Sequence, residues 1–175
     1  MLQQTHSSLP LQQARPETSL DADAIRALTT AAFTGHPHSD GSEPRIIDAL
    51  RDAKALTISI VAELEGQIIG HAAFSPVEWC GQAGWFGLGP VSVHPDLQGR
   101  GIGRQLIEAG LEQLRAIGSN GCVVMGDPAY YGRFGFKQDA RFTYPGPPPE
   151  YFTVLIWQEL PVSLGGDVRY HPAFG

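Results

Sequence analysis

The chain has 175 residues, 42% of them hydrophobic and 17% charged, which suits one domain of 1–175 with a real core and excludes wholesale disorder. Twelve basic against eighteen acidic residues give a formal charge of −6, so a general nucleic-acid binder is not expected. The 21 glycines and 14 prolines, a fifth of the chain, carry no three-residue period and therefore signal many turns, not a triple helix.

Residues 1–14 are polar and Gln-rich, a loose lead-in with a short strand expected just after it. Ile25, Leu28 and Ala32 share one face of a helix predicted over Asp21–Phe33, with Ser19 or Asp21 as its cap. The break Gly35-His36-Pro37-His38-Ser39-Asp40-Gly41 cannot be helix or central strand. A second helix over Pro44–Lys54 follows from Ile46, Ile47 and Leu50 at helical spacing. The period then changes: Thr57–Ala62 and Gln67–Phe74 read as strands around a Glu65-Gly66 turn. Another strand pair follows, with a turn at Cys80-Gly81-Gln82 and its second strand over Gly84–Val93. Ile102, Leu106, Ile107, Leu111 and Leu114 form the stripe of a long helix from Gly101 to Ile117. A short strand Gly121–Met125, a Tyr-rich turn, the Pro-rich loop 145–149 and a strand over Tyr151–Leu160 complete the order. That order is an α/β (α+β) domain, a mixed central sheet with helices on both faces.

Two cysteines, Cys80 and Cys122, make neither a disulfide framework nor a C-x-x-C metal site. The N-terminus lacks a basic stretch followed by an apolar core, and no segment reaches the roughly 18 apolar residues of a membrane span. A soluble, reduced, cytoplasmic protein without a membrane partner is the expectation. His36-x-His38-x-Asp40 has the look of a metal cluster, but no nearby histidine completes it, and no metal is expected.

The chemistry concentrates in Val91-Ser92-Val93-His94-Pro95-Asp96-Leu97-Gln98-Gly99-Arg100-Gly101-Ile102-Gly103-Arg104, which joins a strand to the long helix. Glycine permits close backbone approach and positive φ. The first amides of the helix have no internal acceptor and carry the positive end of its dipole, so they form an anion cradle. A P-loop would end in Gly-Lys-Ser/Thr, and here Gly103 is followed by Arg104-Gln105. The Rossmann fingerprint G-x-G-x-x-G differs from this G-x-G-x-G, which also stands late in the chain.

Gln98-Gly99-Arg100-Gly101-Ile102-Gly103 resembles the Q/R-x-x-G-x-G/A loop of the GCN5-related N-acetyltransferase (GNAT) superfamily. A second element, Tyr130-Tyr131-Gly132-Arg133-Phe134-Gly135-Phe136, resembles that superfamily's Y-x-x-x-G-F signature. Together with Gly70–Val77 and the ending Val168–Phe174, the chain is similar to the YhbS-like subgroup. The resemblance implies a GNAT fold with splayed parallel strands and acetyl-CoA as cosubstrate. Gln98, Gly99, Arg100, Gly101, Ile102, Gly103 and Arg104 would hold its pyrophosphate, and the backbone of Val91 and Val93 its pantetheine. Pro90 fits that picture, because a proline inside a strand forces a bulge or break. Val124 stands where many members have an asparagine seven residues before the tyrosine.

The implied activity is transfer of an acetyl group to a primary amine, by direct attack in a ternary complex. Tyr131 is the expected acid for the CoA thiolate, since a phenol with a reference pKa of about 10 keeps its proton. The base is not readable; Glu78 leads His71 and His94 as a candidate. The acceptor, a small-molecule or peptide amine, and the oligomeric state, a homodimer included, stay open. Two other readings compete: a non-catalytic acyl-CoA sensor and a nicotinamide oxidoreductase.

Overall fold

The computed structural model describes residues 13–175, so most of the lead-in expected over 1–14 lies outside the described residues. The order is β1 (Arg15–Pro16), α1 (Ala22–Phe33), α2 (Glu43–Asp52), β2 (Ile58–Leu64), β3 (Gln67–Trp79), β4 (Gln82–Val93), α3 (Ile102–Ala116), β5 (Gly121–Met125), α4 (Pro128–Tyr131), β6 (Phe142–Thr143), β7 (Phe152–Ile156) and β8 (Gly166–Asp167). Six strands form one mixed sheet in the order β1-β2-β3-β4-β5-β7, while β6 and β8 pair separately. Every pairing in the large sheet is antiparallel except β4 with β5. Among the described residues no helix is long and apolar enough to cross a membrane.

Local chemistry sets the meander. Glu65 and Gly66 at φ 50° and 79°, and Cys80 and Gly81 at φ 51° and 67°, give both hairpins two consecutive left-handed residues, the twist that matches antiparallel strands. The strand expected over Gln67–Phe74 and the first strand of the pair around the Cys80 turn are one strand, β3, because Ser75, Pro76 and Val77 stay in register with Gly87, Phe86 and Trp85. Strand β7 stops at Ile156, short of the expected Leu160. Helix α2 stops at Asp52, and Lys54 turns left-handed with φ 55°. The expected cap of α1 is also corrected. Asp21 makes no side-chain cap bond to α1; its carboxylate accepts from the Thr18 amide at 2.7 Å and pairs with Arg15 at 2.8 Å.

The two sheet faces carry different helices. On one, α3 lays Ile102, Leu106, Ile107, Leu111 and Leu114 over Ile60, Ala62, Ala72 and Phe74. Burying each large aliphatic side chain stabilises by about 1.5–3 kcal/mol. Gly110, inside the stripe of α3, faces Phe74 so closely that a Cβ would stand 2.1 Å from its ring. On the other face, Ile25 of α1 and Ile47 of α2 cover Val61, and Trp79, Trp85, Phe142 and Val123 pack at the far end.

The parallel joint between β4 and β5 positions the site. Trp85, Phe86, Gly87 and Leu88 pair with Gly121, Cys122, Val123 and Val124, and there the pairing ends. Strand β4 continues to Val93 beside β3 alone, while Met125 of β5 pairs only with Phe152 of β7. The β3–β4 register shifts between Ala72 and Phe74, opposite Gly89-Pro90, which is the break Pro90 leads one to expect. The sheet therefore opens into a V beyond Leu88 and Val124.

Candidate functional site: a strand fork beneath an uncapped helix

The arms of the V present main-chain groups. The His94 amide donates to the Ile69 carbonyl at 2.8 Å, so residue 94 faces β3. Antiparallel ladders alternate, and so the amide and carbonyl of Val91 and Val93 turn away from β3, into the fork. The Val93 carbonyl accepts from the Gln98 side chain at 3.2 Å. Sequence reasoning assigned both valines to the site, and the structure places their backbone on its open edge.

From Val93 the chain makes a 3-10 turn over Pro95–Leu97, capped by His94 Nδ1, and reaches Gly99 and Gly101. These adopt φ 75° and 83°, where a side chain is strained. A Cβ on either would meet nothing within 4 Å, so the loop's surface there is open. Gly101 is the N-cap of α3 and offers no side chain, and the first internal bond runs from the Gln105 amide to the Gly101 carbonyl at 3.1 Å. The amides of Ile102, Gly103 and Arg104 are thus uncapped at the positive end of a 15-residue helix. Such a terminus suits a multiply charged anion without any lysine. Arg104 itself is turned along the helix, its guanidinium on Glu108 at 2.8 Å, while its amide remains with the others.

Across the fork stands α4, capped by the Asp127 carboxylate on the Ala129 amide at 2.9 Å. A Cβ on Gly103 would lie 3.1 Å from the Tyr130 hydroxyl and 3.6 Å from Val93, so Tyr130 closes one side of the α3 terminus. The Tyr131 ring lies on Gly126, just past β5, where a Cβ would come within 2.4 Å of it. Phe136 and Tyr130 hold the ring edge-on at 6.0 and 5.1 Å. Burial first, then Tyr130 and Cys122, pushes the Tyr131 pKa up to about 12, so its phenol is protonated at neutral pH.

The proposed bases are not gathered here. Glu78 is exposed and lies four residues along β3 from Phe74, the partner of Leu88, or about 13 Å from the fork at strand spacing. His71 is fully buried, with Nε2 2.7 Å from the Ser59 hydroxyl, and burial lowers its pKa to about 3. His94 serves as a turn cap. His36 and His38 stay in the α1–α2 connection, and no group of three or more potential metal ligands forms among the described residues. The role of Gly126 was missed from sequence; its only signal is a glycine directly after an apolar strand.

Comparison with known proteins agrees with this architecture. A model of the acetyltransferase (GNAT) family matches residues 22–136. The uncharacterized N-acetyltransferase YhbS of Escherichia coli K12 is 36% identical over 91% of this chain and 96% of its own length. YjhQ of the same organism is 33% identical over 85% of this chain and 86% of its own. The crystal structure of a GNAT-family acetyltransferase from Brucella melitensis in complex with acetyl-CoA is 50% identical, covering 93% of this chain and 97% of that one, with a TM-score of 0.81. The Escherichia coli YhbS structure in complex with CoA is 35% identical, covering 97% and 94%, with a TM-score of 0.82. On sequence, fold and strand fork together, this chain belongs to the GNAT family of acetyltransferases.

Proposed function

We propose that this N-acetyltransferase seats acetyl-CoA in the fork and passes its acetyl group directly to a primary amine of a small molecule or peptide. The reading rests on three features set around the fork. These are the uncapped amides at Ile102–Arg104, the unpaired edge of Val91 and Val93, and a protonated phenol on Tyr131. The amides suit a diphosphate, at about 1.5–3 kcal/mol for each charge-assisted bond. The free strand edge suits the two amides of a pantetheine arm, which pair with it as a strand would.

The residues' own chemistry then follows. A lysine-like amine is mostly protonated at neutral pH and must lose a proton before it attacks. No enzyme nucleophile is required: Cys122 is buried and burial pushes its thiol far up, so it is not a thiolate. When the amine nitrogen bonds to the carbonyl carbon it releases its second proton to water, and when the carbon–sulfur bond breaks the departing sulfur takes a proton. Tyr131 supplies it and is reprotonated from solvent. Such general-acid help is worth about 10²–10⁴-fold.

Tyr131→Phe tests this role. Turnover, followed as free thiol across a panel of polyamines, amino-acid amides and short peptides, is expected to fall at least about 100-fold. Acetyl-CoA affinity by calorimetry should stay within about twofold, because only a hydroxyl is lost. Equal turnover in the variant would remove Tyr131 from the reaction. Acetyl-CoA binding with no thiol release from any amine would instead favour a sensor.

A further inference from the structure

A second tyrosine lies against the last rungs of the parallel joint from the opposite face. After β8 the chain returns to β3, where Glu78 and Arg169 exchange backbone bonds at 2.9 Å in both directions. The next residue, Tyr170, lays its ring on Gly87, where a Cβ would come within 2.8 Å of the ring. Gly87 pairs with Val123, one rung before the last pair of the parallel joint. Tyr144 at 5.3 Å and Phe174 at 5.0 Å hold the ring from the sides. His171 caps the following turn at 3.0 Å and Ala173 packs with Ile46 and Leu50 of α2, so the segment is fastened on both sides of the tyrosine.

The hydroxyl is the deep end of this side chain. Tyr170 as a residue is partly exposed, yet its oxygen is buried and has no hydrogen-bond partner among the described residues. Burial raises its pKa far above the ordinary phenol value, with Cys122, Tyr144 and Tyr131 adding, so it is a donor at every physiological pH. A buried donor without an acceptor opposes folding, and native proteins rarely keep one without use. Tyr131 packs with the α3-side cluster and Tyr170 with the cluster on the other face. Two protonated phenols thus flank the point where β4 and β5 part.

We propose, building on the reading above, that the Tyr170 hydroxyl donates a hydrogen bond to the thioester carbonyl oxygen of acetyl-CoA. The attacking nitrogen needs its lone pair for the carbonyl carbon, and Tyr131 is assigned to sulfur. The carbonyl oxygen is the acceptor that remains. As nitrogen adds, the π pair of the C=O bond moves onto that oxygen, and it returns as the carbon–sulfur bond breaks. A fixed neutral donor there strengthens as charge develops.

Tyr170→Phe in the full chain separates this role from packing, since it removes one oxygen and keeps the ring. Affinities for acetyl-CoA and for CoA, which lacks the carbonyl, are measured by calorimetry beside a thermal melt. The expected result is unchanged CoA affinity, acetyl-CoA affinity weaker by about 3- to 10-fold, and a melting temperature equal to or above that of the parent. An unchanged ratio of the two affinities overturns the proposal, as does a lower melting temperature with both affinities reduced equally. Failure of the parent to bind CoA at all would instead overturn the reading of the fork.

Discussion

Gly126→Ala perturbs the candidate acid without touching its chemistry. The added Cβ would stand 2.4, 3.1 and 3.4 Å from Cε2, Cδ2 and Cζ of Tyr131. Carbon atoms settle at about 3.5–4.0 Å, so the ring must move by roughly 1 Å. It cannot swing freely, because Phe136 and Tyr130 sit edge-on against it. A 1 Å misplacement of a reacting group costs on the order of 100-fold, or about 2.7 kcal/mol of barrier. Turnover measured as free thiol, with whichever amine of the panel reacts fastest, is therefore expected to fall 10- to 100-fold while acetyl-CoA affinity holds. The double variant Gly126→Ala/Tyr131→Phe supplies the decisive comparison. If the glycine acts only by placing the phenol, the double variant matches Tyr131→Phe alone. Multiplied losses, or full activity in Gly126→Ala, would refute the reasoning.

Gly101→Asp puts a carboxylate into the uncapped terminus of α3 and a side chain at φ 83°; CoA affinity by calorimetry is expected to drop at least about 100-fold, and near-parent affinity would remove the anion cradle. The Asp21 carboxyl, bound by Arg15 and the Thr18 amide, has its pKa lowered to about 2 in the folded chain. A depressed carboxyl contributes stability above its unfolded value of about 3.9 and loses it as pH falls toward 2. Melting temperatures between pH 5 and 2 should therefore decline less steeply in Asp21→Asn than in the parent, and parallel curves would deny the linkage.

The sequence speaks most clearly where structure is local. The stripe of α3 and the three alternating glycines are written in short spacings, and both lie where those spacings place them. What it conceals depends on distant segments meeting. Gly110 looks like a flaw in a helix until Phe74 occupies its missing side chain. Asp21 reads as a cap for the helix that follows, whereas Arg15, from the strand before it, captures the carboxylate. Strands β6 and β8 are two residues each, too short to carry any period. Tyr170 belongs to the same class: nothing within the ending Arg169–Ala173 indicates that it will come to rest on Gly87.

The four rungs between β4 and β5 have a mechanical meaning as well. Among the described residues they are the one parallel stitch in an otherwise antiparallel six-stranded sheet, and parallel pairing is slightly weaker per residue. The β1–β4 panel and the β5–β7 panel are thus hemmed together along a third of the length of β4. A molecule lodged between the loose edges extends that hem, so its occupancy and the cohesion of the whole sheet rise together by mass action.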